Sequence, residues 1–432
     1  MHNIFDEYNE KKTTAEEALS NIPSGSAVAC AMCAMEPATL LNNLHKIAQD
    51  KQNISVLTGL VIGNYPFMQD KKYEDVFTVD DAFFMGAARS SIQNGIASYF
   101  PCNLHDFAAR YFSHKKLNVA LIAAGPMDEN GFFTCSLSAL YEQELVENAD
   151  MVILEVNHNM PKVYGDTAIH IRDVDYIVEA DAPVPTLKKG EPSEADKLIG
   201  GYIGELVHDG DTIQLGIGGI PDAVSMSLMD KKDLGVHTEM LTNGLVELVN
   251  RGVITNERKT LHKGKMIGAF ALGDENLYKL MDRNPAVEIK RASYVNNPFV
   301  VAQNDNMVSI NTTLAVDLTG QVASETIGTR QYSGSGGQSD TAIGAVHAKN
   351  GRSIIALHST AKKGSISTIS PVLPLGSIVT LSRNVVDYIV TEYGVAPMRG
   401  RTVRERVYNL IAVAHPDFRD DLLKKAGEYN LI

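Results

Sequence analysis

Residues 212–224 read TIQLGIGGIPDAV, from Thr212 to Val224. A short, mostly apolar run ends in a glycine-rich turn at Gly216–Gly219, and a helical pattern opens near Pro221. A strand that feeds through a tight turn into a helix is the first half of a crossover, and a crossover serves a parallel sheet. The same pattern recurs along the chain. Strand candidates are SAVACAM from Ser26, ISVLTGL from Ile54, NVALIAAG from Asn118 and DMVILEV from Asp150. A second series adds KMIGAFALG from Lys265, SIIALHS from Ser353 and SIVTLS from Ser377. These runs are apolar throughout instead of alternating, as strands covered on both faces are. Helical stretches such as PATLLNNLHKIAQD from Pro37 and PDAVSMSLMDKKD from Pro221 lie between them. The expected fold class is α/β with mainly parallel sheets.

At about 150 residues per domain, 432 residues allow two or three domains. The clearest break is EADAPVPTLKKGEPSEAD, Glu179 to Asp196, with three prolines and little apolar periodicity. The expected division is an N-terminal α/β domain over 1–180, a linker over 181–196 and a C-terminal α/β domain over 197–432. Ser193 is a plausible cap for the helix that follows, with Asp196 completing a capping box.

Composition narrows the function. Hydrophobic residues make up 44% and charged residues 21%, which excludes a disordered chain or a coiled coil. The net charge of −13 makes the chain a poor partner for nucleic acid or an anionic membrane. The N-terminal stretch is charged and helical in pattern, without the apolar segment of a signal peptide, and no run reaches a membrane span. A cytoplasmic setting is expected. Four cysteines are too few for a disulfide framework. Cys30 and Cys33 form a C-x-x-C with no second pair to complete a zinc set. The twelve histidines show no H-E-x-x-H or other metal spacing, so no metal is expected.

Four segments can carry chemistry. In QLGIGGIPDAV the N–H groups of Gly216, Ile217, Gly218, Gly219 and Ile220 can approach an acyl oxygen or a phosphate, helped by the helix that follows. A dinucleotide site is the competing reading, but Pro221 stands where its third glycine belongs. A purely structural turn is another. In VHTEMLTNGLVELV, Glu239 ends a short run before a helix; it reads as a nucleophile, a base or a solvated carboxylate. TRQYSGSGGQSD, Thr329 to Asp340, is a glycine–serine loop of the kind that supplies oxyanion donors, or else a linker. It is not a P-loop, since no G-K-[ST] follows, and Ser335 lacks the glycine of a nucleophile elbow. In HSTAKKGSIS, Lys362 and Lys363 follow a strand; they can neutralise a phosphate or simply be solvated.

Taken together, these segments resemble the acetyl-CoA hydrolase/transferase family, and within it most the 4-hydroxybutyrate and butyryl-CoA:acetate CoA-transferases. The likeness is carried by EVNHNMPKVYGDTAIHIRDVDYIVE, LGIGGIPDAV, VHTEMLTNGLVEL, NDNMVSINTTLAVDLTGQV, IGTRQYSGSGGQSD, STAKKGSIS, TEYGVAPMRG and AHPDFRDDL. It is nearly continuous from Leu117 onward. The resemblance implies two open α/β domains of the CoA-transferase type with the active site at their interface, and a homodimer or higher homo-oligomer. It implies Glu239 as nucleophile in a ping-pong transfer of CoA from a short-chain acyl-CoA, butyryl- or 4-hydroxybutyryl-CoA, to acetate. CoA is then a substrate, carried as a glutamyl thioester, with no tightly bound cofactor; acyl-CoA hydrolysis by the same glutamate is the alternative.

A weak carboxylate nucleophile needs a pre-placed thioester and donors already aimed at the developing oxyanion. Gly216 to Ile220, and Gly336 and Gly337 in the second glycine loop, are the expected donors. Lys362 is the candidate for a CoA phosphate, and Asn297, in YVNNP, for orienting Glu239 or the acyl group. Two positions depart from the family pattern: Thr341 where an aromatic residue is expected, and Ala315 where an acidic one is commoner.

Overall fold

The structure, a computed structural model, describes residues 4–86, 88–187 and 190–432. The chain divides into two compact units, Met1–Leu187 with Gly268–Tyr294, and Lys188–Ile267 with Val295–Ile432. Lys188 and Lys189, part of the expected linker, lie outside the described residues.

The first unit opens with helices α1 (Ile4–Lys11) and α2 (Ala15–Ser20). Its sheet holds β1 (Ala27–Cys30), β2 (Ile54–Thr58), β3 (Phe77–Asp81), β4 (Ala97–Tyr99), β5 (Val119–Ala124), β6 (Met151–Asn157) and β7 (Tyr176–Ala180). The strand order is β7-β6-β5-β1-β2-β3-β4, and every neighbouring pair is parallel. All six residues of β5 are buried, which is why VALIAA reads as an unbroken apolar run. Helix α3 (Ala38–Leu44) lays Leu40, Leu41 and Leu44 onto a core with Val28, Val56, Phe77 and Val79. Those three leucines lie on one helical face, and burying each contributes about 2 kcal/mol.

The second unit repeats this plan. Helix α4 (Glu194–Leu206) leads to β8 (Thr212–Gln214), α5 (Gly219–Ser227) and β9 (Gly235–Leu241). Later come β10 (Met307–Thr312), α6 (Gln338–His347), β11 (Arg352–Ala356), β12 (Tyr388–Thr391) and β13 (Gly394–Pro397). These strands run in the order β13-β12-β11-β10-β8-β9, parallel except for the edge pair β12–β13. The chain leaves β8 toward β9 and later resumes on the other side at β10. That reversal puts a ligand crevice at the carboxyl ends of β8 and β10.

Seven of the eight strand expectations, the one from Lys265 at Met266–Ala271 among them, fall on observed strands. SIVTLS does not: it is irregular, with Ile378 48% and Val379 42% exposed. Pro371 and Pro374 precede it, Leu381 makes only an isolated bridge to Val322, and the buried strand is β12 instead. Apolar composition marked the segment, but only Leu381 is buried in the core, while Ile378 and Val379 are left exposed. The capping box is present: Ser193 Oγ accepts from the Asp196 N–H, and the Asp196 carboxylate accepts from the Ser193 N–H.

Helix α4 packs on α5 through glycine. A Cβ at Gly200 would lie 2.7 Å from the Ala223 carbonyl, whereas one at Gly201 would meet nothing within 4 Å. Adjacent substitutions should therefore have opposite signs. Gly200→Val is expected to destabilise by about 2 kcal/mol or more through overpacking, and Gly201→Ala to stabilise by roughly 0.5–1 kcal/mol through helix propensity. Paired thermal melts check both, and a tolerated valine at 200 contradicts the packing.

Candidate active site

Strand β9 carries the three residues His237-Thr238-Glu239 at its carboxyl end. Strands β8 and β9 pair Thr212 with Gly235 and Ile213 with Val236. Continuing that register sets Glu239 level with Gly216, the first glycine of the turn. Thr238 locks the alignment, its Oγ1 donating to the Leu215 carbonyl at 3.2 Å. Behind the turn, Asp196 Oδ1 lies 2.8 Å from His358 Nε2, and a Cβ at Gly219 would overlap the Asp196 carboxylate.

The Glu239 side chain is half-buried, and two neutral donors meet its carboxylate. Asn296 Nδ2 donates to Glu239 Oε2 at 2.9 Å, and the Gly337 N–H donates to the same carboxylate. Gly337 immediately precedes α6, where helix N–H groups are unpaired by the helix itself. A Cβ at 337 would overlap both the Glu239 carboxylate and the Asn296 amide, so only glycine fits between them. Burial pushes the Glu239 carboxyl up to about 7, the Asp340 charge adds to this, and the Asn296 and Gly337 donors oppose it.

The structure thus brings Gly216, Glu239 and Gly337 into one group. Ile217 is 37% exposed beside Gly218, which has φ 112°, while Ile220 is buried inside the first turn of α5. Gly336, with φ 52°, turns the chain into Gly337. Asn297 does something else: its Oδ1 accepts from the Phe299 N–H at 2.9 Å and caps the short helix Pro298–Val301. The amide at Glu239 belongs to its neighbour, Asn296. Lys362 sits exposed at the tip of a hairpin between Thr360–Ala361 and Ile366–Ser367; it and Lys363 both have positive φ, 47° and 58°.

Sequence reasoning passed over Asn296, His237 and Thr238. The H-T-E spacing was the available signal for His237, since alternate strand residues share a face. Thr341 proves to be buried, its Oγ1 2.9 Å from Ser309 Oγ and 3.1 Å from the Gly337 carbonyl that it donates to. An aromatic ring there would displace Ser309. Ala315 lies on a short strand paired with Ala323.

Elsewhere, a cavity of about 1000 Å³ in the first unit is lined by Pro126, His158, Lys162, Pro183 and Arg283, among others, and not by Glu239. Its cations Lys162, Lys279 and Arg283 are paired with Asp128, Glu275 and Asp282, so it presents little free positive charge. Cys30 and Cys33 are buried, and burial pushes both thiols up, Cys33 to about 12, far from a reactive thiolate. Among the described residues no cluster of three or more His, Cys, Asp or Glu is placed to hold a metal ion, and no helix is long and apolar enough to cross a membrane.

A half-buried carboxylate between neutral donors, at the carboxyl end of parallel strands, suits an enzyme that works on acyl groups. Residues 2–188 match the acetyl-CoA hydrolase/transferase N-terminal domain and residues 273–426 the corresponding C-terminal domain. The chain is 44% identical to a 4-hydroxybutyrate coenzyme A transferase of Clostridium kluyveri, over 97% of each chain. It is 38% identical to a butyryl-CoA:acetate CoA-transferase of Anaerostipes caccae, over 98% of this chain and 97% of that one. Among solved structures, RipA from Yersinia pestis superposes with a TM-score of 0.95 at 38% identity, covering 99% of this chain and 100% of that one. The protein belongs to the acetyl-CoA hydrolase/transferase family. It is an enzyme of the CoA-transferase type.

A carboxyl raised from its ordinary value in the fold stabilises the protein below the unfolded value and loses that contribution as pH rises through about 7. Above pH 7, then, the ionised Glu239 is a burden on the fold. Glu239→Gln is expected to melt a few degrees higher than the parent at pH 8, with the gap closing toward pH 4. Melting curves across that range check it, and a gap that is constant with pH contradicts it.

Proposed function

We propose that the protein transfers CoA from a short-chain acyl-CoA, butyryl- or 4-hydroxybutyryl-CoA, to acetate, by a ping-pong route with Glu239 as nucleophile. The observation that carries this reading is the Glu239 carboxylate held between the Gly337 N–H and the Asn296 amide. The names of the relatives support the choice of acyl groups.

In the proposed route the Glu239 carboxylate attacks the thioester carbonyl, the C–S bond breaks, and CoA thiolate leaves an acyl-glutamyl anhydride. The thiolate then attacks the glutamyl carbonyl and releases the first carboxylate, so that Glu239 carries CoA as a thioester. Acetate attacks that thioester and expels CoA thiolate, leaving an acetyl-glutamyl anhydride. The thiolate takes the acetyl group, forming acetyl-CoA and freeing Glu239. Each step trades one anion for another, so no net proton is needed. The oxyanions are met by N–H groups from Gly216, Ile217, Gly218, Gly219, Ile220, Gly336 and Gly337. Asn296 takes the orienting role first considered for Asn297, and Lys362 contacts a CoA phosphate. The working form is a homo-oligomer. Water in place of acetate would make the same site a hydrolase.

Mixing the protein with butyryl-CoA and no acceptor is expected to add CoA to the peptide containing Glu239, or to make that residue reducible by borohydride. Peptide mass spectrometry reads either outcome, and turnover with no adduct on any peptide overturns the covalent route. Glu239→Ala is expected to lower kcat by about 10³-fold or more. Consumption of acyl-CoA at the same rate with and without acetate would favour the hydrolase. Lys362→Ala is expected to raise KM for the acyl-CoA a few-fold with little change in kcat.

A further inference from the structure

Asn296 presents an oddity. Its side chain is fully buried, its Nδ2 bonds Glu239, and its Oδ1 has no hydrogen-bond partner among the described residues. An amide held by a single bond is not oriented by its own network; something must fix the backbone that carries it. One residue upstream, the Val295 carbonyl lies 2.8 Å from His237 Nε2. His237 is two residues before Glu239 on β9, so the two side chains share one face of the strand.

We propose that His237 is a positioning residue: its Nε2–H clamps the Val295 carbonyl and thereby holds the Asn296 amide against the Glu239 carboxylate. This rests on the reading of Glu239 as the nucleophile.

The chemistry of the imidazole supports the assignment. A carbonyl can only accept, so the proton is on Nε2 and the neutral tautomer is fixed. His237 is 1% exposed, and its Nδ1 is buried without a hydrogen-bond partner among the described residues. A charged ring would leave an Nδ1–H stranded there. Burial first, and the Lys259 charge second, push the ring down to about 3, so it stays neutral throughout the working range. Lys259 is 1% exposed, and its ammonium donates to the Val236 and Lys265 carbonyls, both at 2.7 Å, which ties down the residue just before His237. A leucine would fill the same space without a starved nitrogen. The histidine is therefore a net burden on the core unless the Val295 bond does something for the site.

The groups facing this arrangement are few. Glu239 meets Asn296, the Gly337 N–H and Asp340; His237 meets the Val295 carbonyl, with Lys259 and His262 acting on it through their charge. Loosening Asn296 removes an interaction that favours the ionised carboxylate, so the acid limb of activity should move to higher pH.

The test compares His237→Gln, His237→Asn, His237→Leu and Asn296→Ala, with the His237→Leu/Asn296→Ala double variant. Gln can reach the Val295 carbonyl from the position of Nε2, and Asn cannot. Both put a primary amide into the same buried site and differ by one methylene in its reach, so a general loss of stability falls on both and their comparison survives it. His237→Asn and His237→Leu are expected to lower kcat about three- to tenfold, with KM nearly unchanged, and to shift the acid limb of kcat upward. His237→Gln should restore both readouts, and the double variant should be no worse than Asn296→Ala. An unmoved acid limb in folded Asn and Leu variants overturns the inference. So does a Gln variant as impaired as Asn, or effects that add in the double variant. Formation of the Glu239 adduct is scored in the parent protein in the same series. Its absence fails the nucleophile reading; its presence with an unmoved limb fails the His237 inference alone.

Discussion

On the proposed route the Glu239 carboxylate must be shielded from water to attack a thioester and ionised to attack at all, and the two demands conflict. Burial pushes Glu239 toward the neutral acid, and the nearby Asp340 pushes the same way. A lysine or arginine beside it would restore the charge, but would also hold the electron pair the reaction needs. The protein instead uses two neutral donors, the Gly337 N–H and the Asn296 amide. The balance settles near neutral pH, which leaves an appreciable fraction ionised without an ion pair. Much of the surrounding structure serves that compromise.

The supports come from different directions. Thr238 ties the strand to Leu215, just ahead of the first glycine turn. His237 ties it to Val295, just ahead of Asn296. Lys259 crosses behind, holding the Val236 carbonyl. Helix α6 brings Gly337 down from above, and Thr341 donates back to the Gly337 carbonyl one turn on. Three consecutive residues, His237, Thr238 and Glu239, therefore have three different jobs. The parallel sheet makes this possible, because it delivers β8, β9 and β10 with their carboxyl ends on one side, where the loops can converge.

The strand series could be read from sequence because doubly covered strands cannot hide their composition: VALIAA has no solvent face on which to place a charge. SIVTLS misled for the same reason in reverse, since exposed isoleucine and valine look no different in a line of text. The capping box at Ser193 and Asp196 was legible because it is local, spanning four residues. The partition of the chain was not, for Gly268–Tyr294 packs with the first unit although 80 residues of the second precede it. No composition shift marks such a return. At the site, the glycine loops stood out by residue type, whereas Glu239 was singled out by the family resemblance, its spacing alone favouring a solvated carboxylate. Asn296 did not, because two adjacent asparagines are equivalent until the backbone decides which one caps a helix and which one faces the glutamate. Gly337 was visible as one glycine among several; that a Cβ there would strike the Glu239 carboxylate itself is a fact of three dimensions.

Neutral donors also bear on what can follow the first attack. On the proposed route Glu239 is an anion, then an anhydride, then a thioester, then an anhydride again, and only the first of these carries charge. A fixed cation would bind the anion tightly and resist every later species, raising the barrier to forming them. An amide and a backbone N–H lose far less when the charge disappears, and both can turn to the carbonyl oxygen that remains. Donors that bind the carboxylate modestly are therefore better suited to a residue that must repeatedly give up its charge and recover it. The same argument explains why their placement has to be tight: a modest interaction contributes only when it is already aimed, and the Cβ-free position at Gly337 and the clamp behind Asn296 both reduce the room in which it could wander.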